Sequence, residues 1–164
     1  MATNCSCTLS ALRVLMRVEQ LEGSAVPLER SLELMESSEV GCMTVLNCER
    51  CRQHRFSLAS VTVLSACIIE WVRRTWLGDD GSACAARISL GNYDLDPTDA
   101  EMLSRELMAL QLSHFSKVMA LLKAALGTLE AGGPAESFLD IVHANLQQLR
   151  DYTQRIRALA AASD

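Results

Sequence analysis

Apolar positions recur along the chain at intervals of three and four, the spacing that puts side chains on one face of a helix. Five helices are expected. The first covers about Thr8 to Glu22, with Ala11, Val14, Leu15, Val18 and Leu21 on its apolar face and Gly23 as its stop. The second opens at Pro27 and carries Leu28, Leu32, Met35, Cys42 and Leu46, a stripe interrupted at Glu39. The third covers about Ser57 to Trp76. Its stripe is Leu58, Val61, Leu64, Ile68, Val72 and Trp76, and Val63, Ala66, Cys67 and Ile69 make most of its remaining surface apolar. A helix apolar on most sides belongs at the centre of a bundle.

The fourth helix has the clearest start. In "DPTD", Asp96 caps, Pro97 fills the first turn and Asp99 favours the positive helix end. It runs to about Leu129 with Gly127 as a weak point, and its stripe reads Leu103, Leu107, Leu110, His114, Val118, Leu121. The fifth follows "GGPAE" and reads Phe138, Val142, Asn145, Leu149, Tyr152, Ile156, Leu159, a coiled-coil-like seam. The turn Gly132–Pro134 makes these two an antiparallel hairpin. Residues 77–95 are expected to be a long loop, punctuated by Gly78, Gly81, Gly91 and Asn92. The expected architecture is all-α: one domain over residues 1–164, a compact bundle of about five helices with the third central.

Composition agrees. Hydrophobic residues make up 49% of the chain and aromatic residues 4%, with Leu and Ala dominant, a balance that favours helix over strand. The net charge of −5 argues against nucleic-acid binding by this chain alone. The basic clusters, Arg50, Arg52, His54, Arg55 and the pair Arg73, Arg74, are expected to be solvated helix ends. No unbroken run of about 18 apolar residues occurs, so no membrane span is expected. The start lacks the basic and long apolar segments of a signal peptide. An intracellular protein is expected, with its seven cysteines outside a secreted disulfide framework.

The succession "CTLSALRVLMRVEQL", "LERSLELMESSEVGCMTVLNCERC", "IIEWVRRTW" and "ISLGNYDLDPTDAEMLSRELMALQL" resembles the C-terminal domain of the fungal aflatoxin regulatory protein family. Members are zinc-cluster transcription factors of secondary-metabolite gene clusters. The resemblance covers roughly Cys7 to Leu126. Its strongest marks are the cysteine pair ending the second helix, the Trp closing the third, and the "LGxYxLD" run from Leu90 to Asp96. Two departures stand out. The family's compact six-cysteine DNA-binding cluster is absent from this chain. Where the family tends to have Trp-Tyr, this chain has Trp71-Val72 followed by two arginines. If the chain is complete rather than an excised domain, it is not expected to activate by binding DNA itself, and is expected to be a partner module or a copy of the domain in another use.

Two constellations can carry chemistry. If the first two helices form an antiparallel hairpin, Cys5 and Cys7 approach Cys48 and Cys51. Four thiolates at one corner suit tetrahedral zinc. The alternatives are a disulfide, between the corners or within Cys48–Cys51, and free thiols, which the frequency of Cys in cores favours. A structural role for the four cysteines, with no metal and no cofactor, is the expectation. Cys42 and Cys67 are read as core and Cys84 as a loop residue. The second constellation is His114 with Tyr152. Equal rise from the interhelical turn brings them to the same level within about a turn, as an acid/base pair or as one internal hydrogen bond. Asn145, one step along the seam, is read as a register-fixing residue. A ligand site, if present, is expected among Trp71, Arg74, Trp76, Tyr93 and Asn145.

The functional expectation is a regulatory interaction domain that responds to a homodimer or other protein partner, or to a hydrophobic metabolite, and acts in the nucleus. The alternative is a small cofactor-free cyclase or isomerase, or a metabolite binder, of a polyketide-like pathway in the cytoplasm. A purely structural bundle is the third.

Overall fold

Helix α1 runs over Cys7–Gln20, α2 over Leu28–Leu46, α3 over Arg55–Leu77, α4 over Pro97–Gly127 and α5 over Pro134–Ala161 in the computed structural model. It describes residues 5–21, 25–78, 87–129 and 134–162. Gly23, Cys84 and the Gly132–Gly133 part of the interhelical turn lie outside them. The expected helices are all present, with ends displaced by one to three residues. At α4 the expected cap is made: Asp96 Oδ1 accepts the amide of Thr98 at 2.9 Å, and Pro97 opens the helix. Gly127 ends α4 rather than interrupting it.

The α3 helix packs against all four other α-helices, which makes it the central element, as its all-round apolar pattern implied. Each residue of its main stripe is buried. Val63 is not; it stays 47% exposed, so one side of the central helix faces solvent. By length and average hydropathy α3 also matches a membrane span, although no unbroken apolar run marks it in the sequence. Its apolar stripe is spent against its four neighbours.

Cross-links fix the directions. Thr8 Oγ1 donates to Ser57 Oγ at 2.9 Å, so α1 and α3 start side by side and run parallel, with α2 returning between them. Asn145 Nδ2 donates to the Ser65 hydroxyl at 3.3 Å, which ties α5 to the middle of α3. Both partners of the Asn145 bond are buried, so the polar seam residue is satisfied against α3. The hairpin α4–α5 is the most extensive pairing, and Arg157 Nε meets Glu106 Oε2 across it at 3.6 Å.

The α2 stripe is buried largely as expected, whereas most of the α4 stripe lies one position away. In α2 the expected Leu28, Met35, Cys42 and Leu46 are buried and Leu32 flanks them, while the buried face also takes in Ser31, Leu34, Ser38, Gly41 and Val45. Small residues are on that face because α1 crosses close. A Cβ on Gly41 would lie 3.3 Å from Val14 Cγ2 and 3.7 Å from Ala11 Cα. Gly41→Val is therefore expected to destabilise by about 1–3 kcal/mol through overpacking. An unchanged urea midpoint would show that the crossing has slack. In α4 the buried face is Met108, Leu112, Phe115, Val118, Met119, Leu122 and Leu126; of the expected stripe Val118 lies on it, while Leu110 and Leu121 are 46% and 48% exposed.

Residues 77–95 are not all loop. Ser89–Leu90 pairs antiparallel with Tyr93–Asp94, and Gly91 takes φ 63° at the first turn position, where a type II′ hairpin places glycine.

Candidate functional site

Three helix ends converge on one corner. Cys5 precedes α1 and Cys7 opens it. The α2 helix ends at Leu46 and is capped at Asn47, and a tight turn follows: Cys48 N donates to Val45 O at 3.2 Å, Arg52 N to Cys48 O at 3.0 Å and His54 N to Cys51 O at 3.0 Å. A 3-10 turn, Cys51–Gln53, leads into α3. The hairpin of α1 and α2 thus brings the "CxC" and "CxxC" pairs together, as their positions in the pattern implied. Cys5 Sγ lies 2.8 Å from Cys7 Sγ, 3.5 Å from Cys48 Sγ and 3.4 Å from Cys51 Sγ. All four sulfurs lie within 4.8 Å of one another. They are thiols, not bridges. Cys51 is buried, Cys7 and Cys48 half-buried, and Cys5 exposed.

Their environments differ. The Cys48 thiol is lowered to about 6, chiefly because the Cys51 amide donates to it, with the Cys5 thiol and the Arg50 amide adding to the effect. Cys7 is raised to about 12 by its hydrogen bond with Cys5 and then by burial. Cys51 is raised, mainly by burial. Cys42 is separate: burial in the core raises it to about 12 and leaves it inert, as expected. Cys67 is only partly buried, packed on the core rather than within it.

His114 and Tyr152 do not form a pair. The Arg157–Glu106 contact sets the register of the hairpin, and continuing it places Leu149, not Tyr152, opposite His114. The level is right within a turn, as expected, but the faces differ. Tyr152 is buried, whereas His114 is half-exposed. No hydrogen bond joins them among the described residues. The stripe that seemed to carry His114 is the flank of α4, and its real core face runs through Phe115.

The other expected ligand residues are dispersed. Trp71 and Trp76 are buried in the core, each with an indole N–H that finds no partner among the described residues. Arg73 and Arg74 close on Glu70: Arg73 Nε and Nη2 donate at 2.8 and 2.7 Å, and Arg74 Nε donates at 2.7 Å. The Arg73 contact, more than any other, holds the Glu70 carboxyl down at about 2. Tyr93 sits on the hairpin, 67% exposed. Trp71, Arg73, Arg74 and Trp76 lie towards the far end of α3, about 30 Å from the cysteine corner at 1.5 Å per residue.

Two described grooves lie elsewhere. One, of about 590 Å³, is lined by Leu46, Asn47, Arg52 and Gln53 on one side and Leu121, Ala124, Ala125 and Thr128 of α4 on the other. A smaller one, of about 350 Å³, runs along the exposed side of α2 between Glu36 and Asn47. Neither is lined by His114, Tyr152, Trp71 or Trp76. The first was signalled only by Leu121, an apolar residue left out of the core.

Compared with protein-family models, curated proteins and solved structures, the chain matches none of them.

Proposed function

We propose that the chain is a regulatory interaction domain, similar to the C-terminal part of the fungal aflatoxin regulatory proteins, and that it contacts a protein partner through an exposed apolar face. The supporting observation is the uncovered side of α3. Phe56 and Val63, two turns apart, are 61% and 47% exposed, with half-buried Ala59 between them. On the neighbouring α1, Leu9 and Met16 are 50% and 60% exposed at the same spacing. Apolar side chains grouped in this way on two adjacent helices mark an interaction surface. Its surroundings carry exposed Arg13, Arg52 and Arg55 although the chain is acidic overall. The partner is therefore an apolar segment with an acidic rim.

The seam of α5 is not this surface. From Val142 to Ile156 it is buried against the bundle.

The chain fused to a heterologous DNA-binding domain should drive a reporter in a filamentous fungus. Phe56→Asp combined with Val63→Asp should reduce the output to background while the circular dichroism spectrum and melting temperature stay unchanged, since both side chains are exposed. Full output from the double variant would remove this surface from the proposal. Conversion of a pathway metabolite by the purified chain, lost in His114→Ala, would replace regulation by catalysis. One observation favours a metabolite as a second ligand: the 590 Å³ groove between the end of α2 and α4 is of small-molecule size, with Leu46, Leu121 and Ala125 along it.

A further inference from the structure

We propose that Cys5, Cys7, Cys48 and Cys51 bind one Zn²⁺ as a structural tetrathiolate centre that staples the start of α1 to the turn between α2 and α3. The geometry comes first. Zinc–sulfur bonds of about 2.3 Å directed to the corners of a tetrahedron put the sulfurs about 3.8 Å apart. The Cys5 sulfur stands at 2.8, 3.5 and 3.4 Å from the other three, and no pair in the group is separated by more than 4.8 Å. The four sulfurs are thus clustered on the scale of such a site, and side-chain rotations that open the Cys5–Cys7 pair complete it.

Donor chemistry selects the ion. Four soft thiolates suit zinc and not magnesium or calcium, which take oxygen ligands. With all four positions filled by protein, no place is left for a reacting water, so the centre is structural. Binding involves no oxidation: Zn²⁺ replaces the thiol protons, which pass to solvent, and the centre carries a net charge of −2.

The surroundings suit that charge. The amides of Arg50 and Cys51 already donate to the Cys48 sulfur. The N-termini of α1 and α3 both open at this corner, and neither has a side-chain cap, from Ser6 or from His54. Uncapped positive helix ends favour an anionic group beside them. Arg50 and Arg52 in the same short turn, and Arg55 at the start of α3, add basic charge to this stretch of the chain. Together these features give a purpose to a basic turn that otherwise reads as a solvated helix end. The site is independent of whether the domain regulates or catalyses.

The test uses the full chain purified under reducing conditions and supplied with Zn²⁺. Elemental analysis should find one zinc per chain. Co²⁺ in its place should give the intense visible absorption of a tetrahedral cobalt thiolate. Removing zinc with a chelator should lower the melting temperature by several degrees, and adding it back should restore it. Cys48→Ser with Cys51→Ser should abolish stoichiometric binding. Should that variant fail to fold, Cys5→Ser, at an exposed position, serves in its place and should lose the cobalt spectrum of a four-sulfur site. A folded, reduced chain that takes up no stoichiometric zinc from an excess would overturn the proposal. So would a disulfide among these four cysteines that persists under the same reducing conditions, or a cobalt spectrum unaltered by Cys5→Ser.

Discussion

Phe115→Ala should lower the free energy of unfolding by about 3–5 kcal/mol. The chain has three phenylalanines, and their settings differ: Phe56 is 61% exposed, Phe138 is half-buried and Phe115 is 1% exposed. Phe115 is the largest of the fully buried side chains and sits on the core face of α4 among Leu112, Val118, Met119 and Leu122. Cutting it to a methyl group removes its dispersion contacts and leaves a cavity that neighbours on a rigid helix fill only in part. Domains of this size hold about 5–15 kcal/mol in total, so the variant should be near the edge of folding at room temperature. Urea unfolding measures this directly. Phe56→Ala is the control, with an expected change within about 0.5 kcal/mol. Equal effects at the two positions would mean that the core does not lie where these helix faces put it.

The second large effect concerns a buried charge. Arg105 is only 7% exposed; its Nε and Nη2 donate to Glu101 Oε1 at 3.1 and 2.7 Å, and its Nη1 has no partner among the described residues. Glu101→Ala leaves a guanidinium inside the bundle without its counter-charge. Breaking a fully buried pair costs about 3–5 kcal/mol; Glu101 is itself 44% exposed, so water softens the loss to about 1–3 kcal/mol. Arg105→Met behaves in the opposite way. It removes the charge together with the need for a partner and keeps an apolar stem of similar length, so stability should be unchanged or higher. Thermal unfolding of both variants decides the matter. A loss in Arg105→Met as large as that in Glu101→Ala would show that the pair stabilises the fold outright.

Arg105 also shows where pattern reading runs out. Nothing in "LSRELM" distinguishes an inward arginine from an outward one, because α4 offers two nearly equivalent apolar arcs one residue apart. Leu103, Leu107 and Leu110 form one; Ser104, Met108 and Leu112 form the other. Leucine spacing favours the first, but packing chose the second, where small and flexible side chains admit a close neighbour. In α2 the expected stripe is buried apart from Leu32, but an apolar count passes over Ser31, Ser38 and Gly41, which are buried too; Gly41 meets α1. His114 was misplaced for this reason alone: it belongs to the arc that was not buried. Tyr152 and Asn145 were placed correctly because the α5 seam is narrow and has no competing arc.

The sequence by itself determined the helices, their order and the hairpins. Helix periodicity is a local property, and the stop and start signals at Asp96, Pro97 and Gly127 act over one turn. It also determined that two cysteine pairs would share a corner, because connection and length alone bring the start of α1 to the end of α2. The tertiary structure decided the rest. It selected which of two adjacent arcs is buried, set Trp71 and Trp76 in the core instead of a binding groove, and separated His114 from Tyr152. It also closed four sulfurs to within 4.8 Å, which no spacing in the sequence specifies. The physical reason is common to these outcomes. A helix face is fixed by the sum of contacts with its neighbours, and a rotation of one residue, about 100°, exchanges a core side chain for a surface one at little local cost.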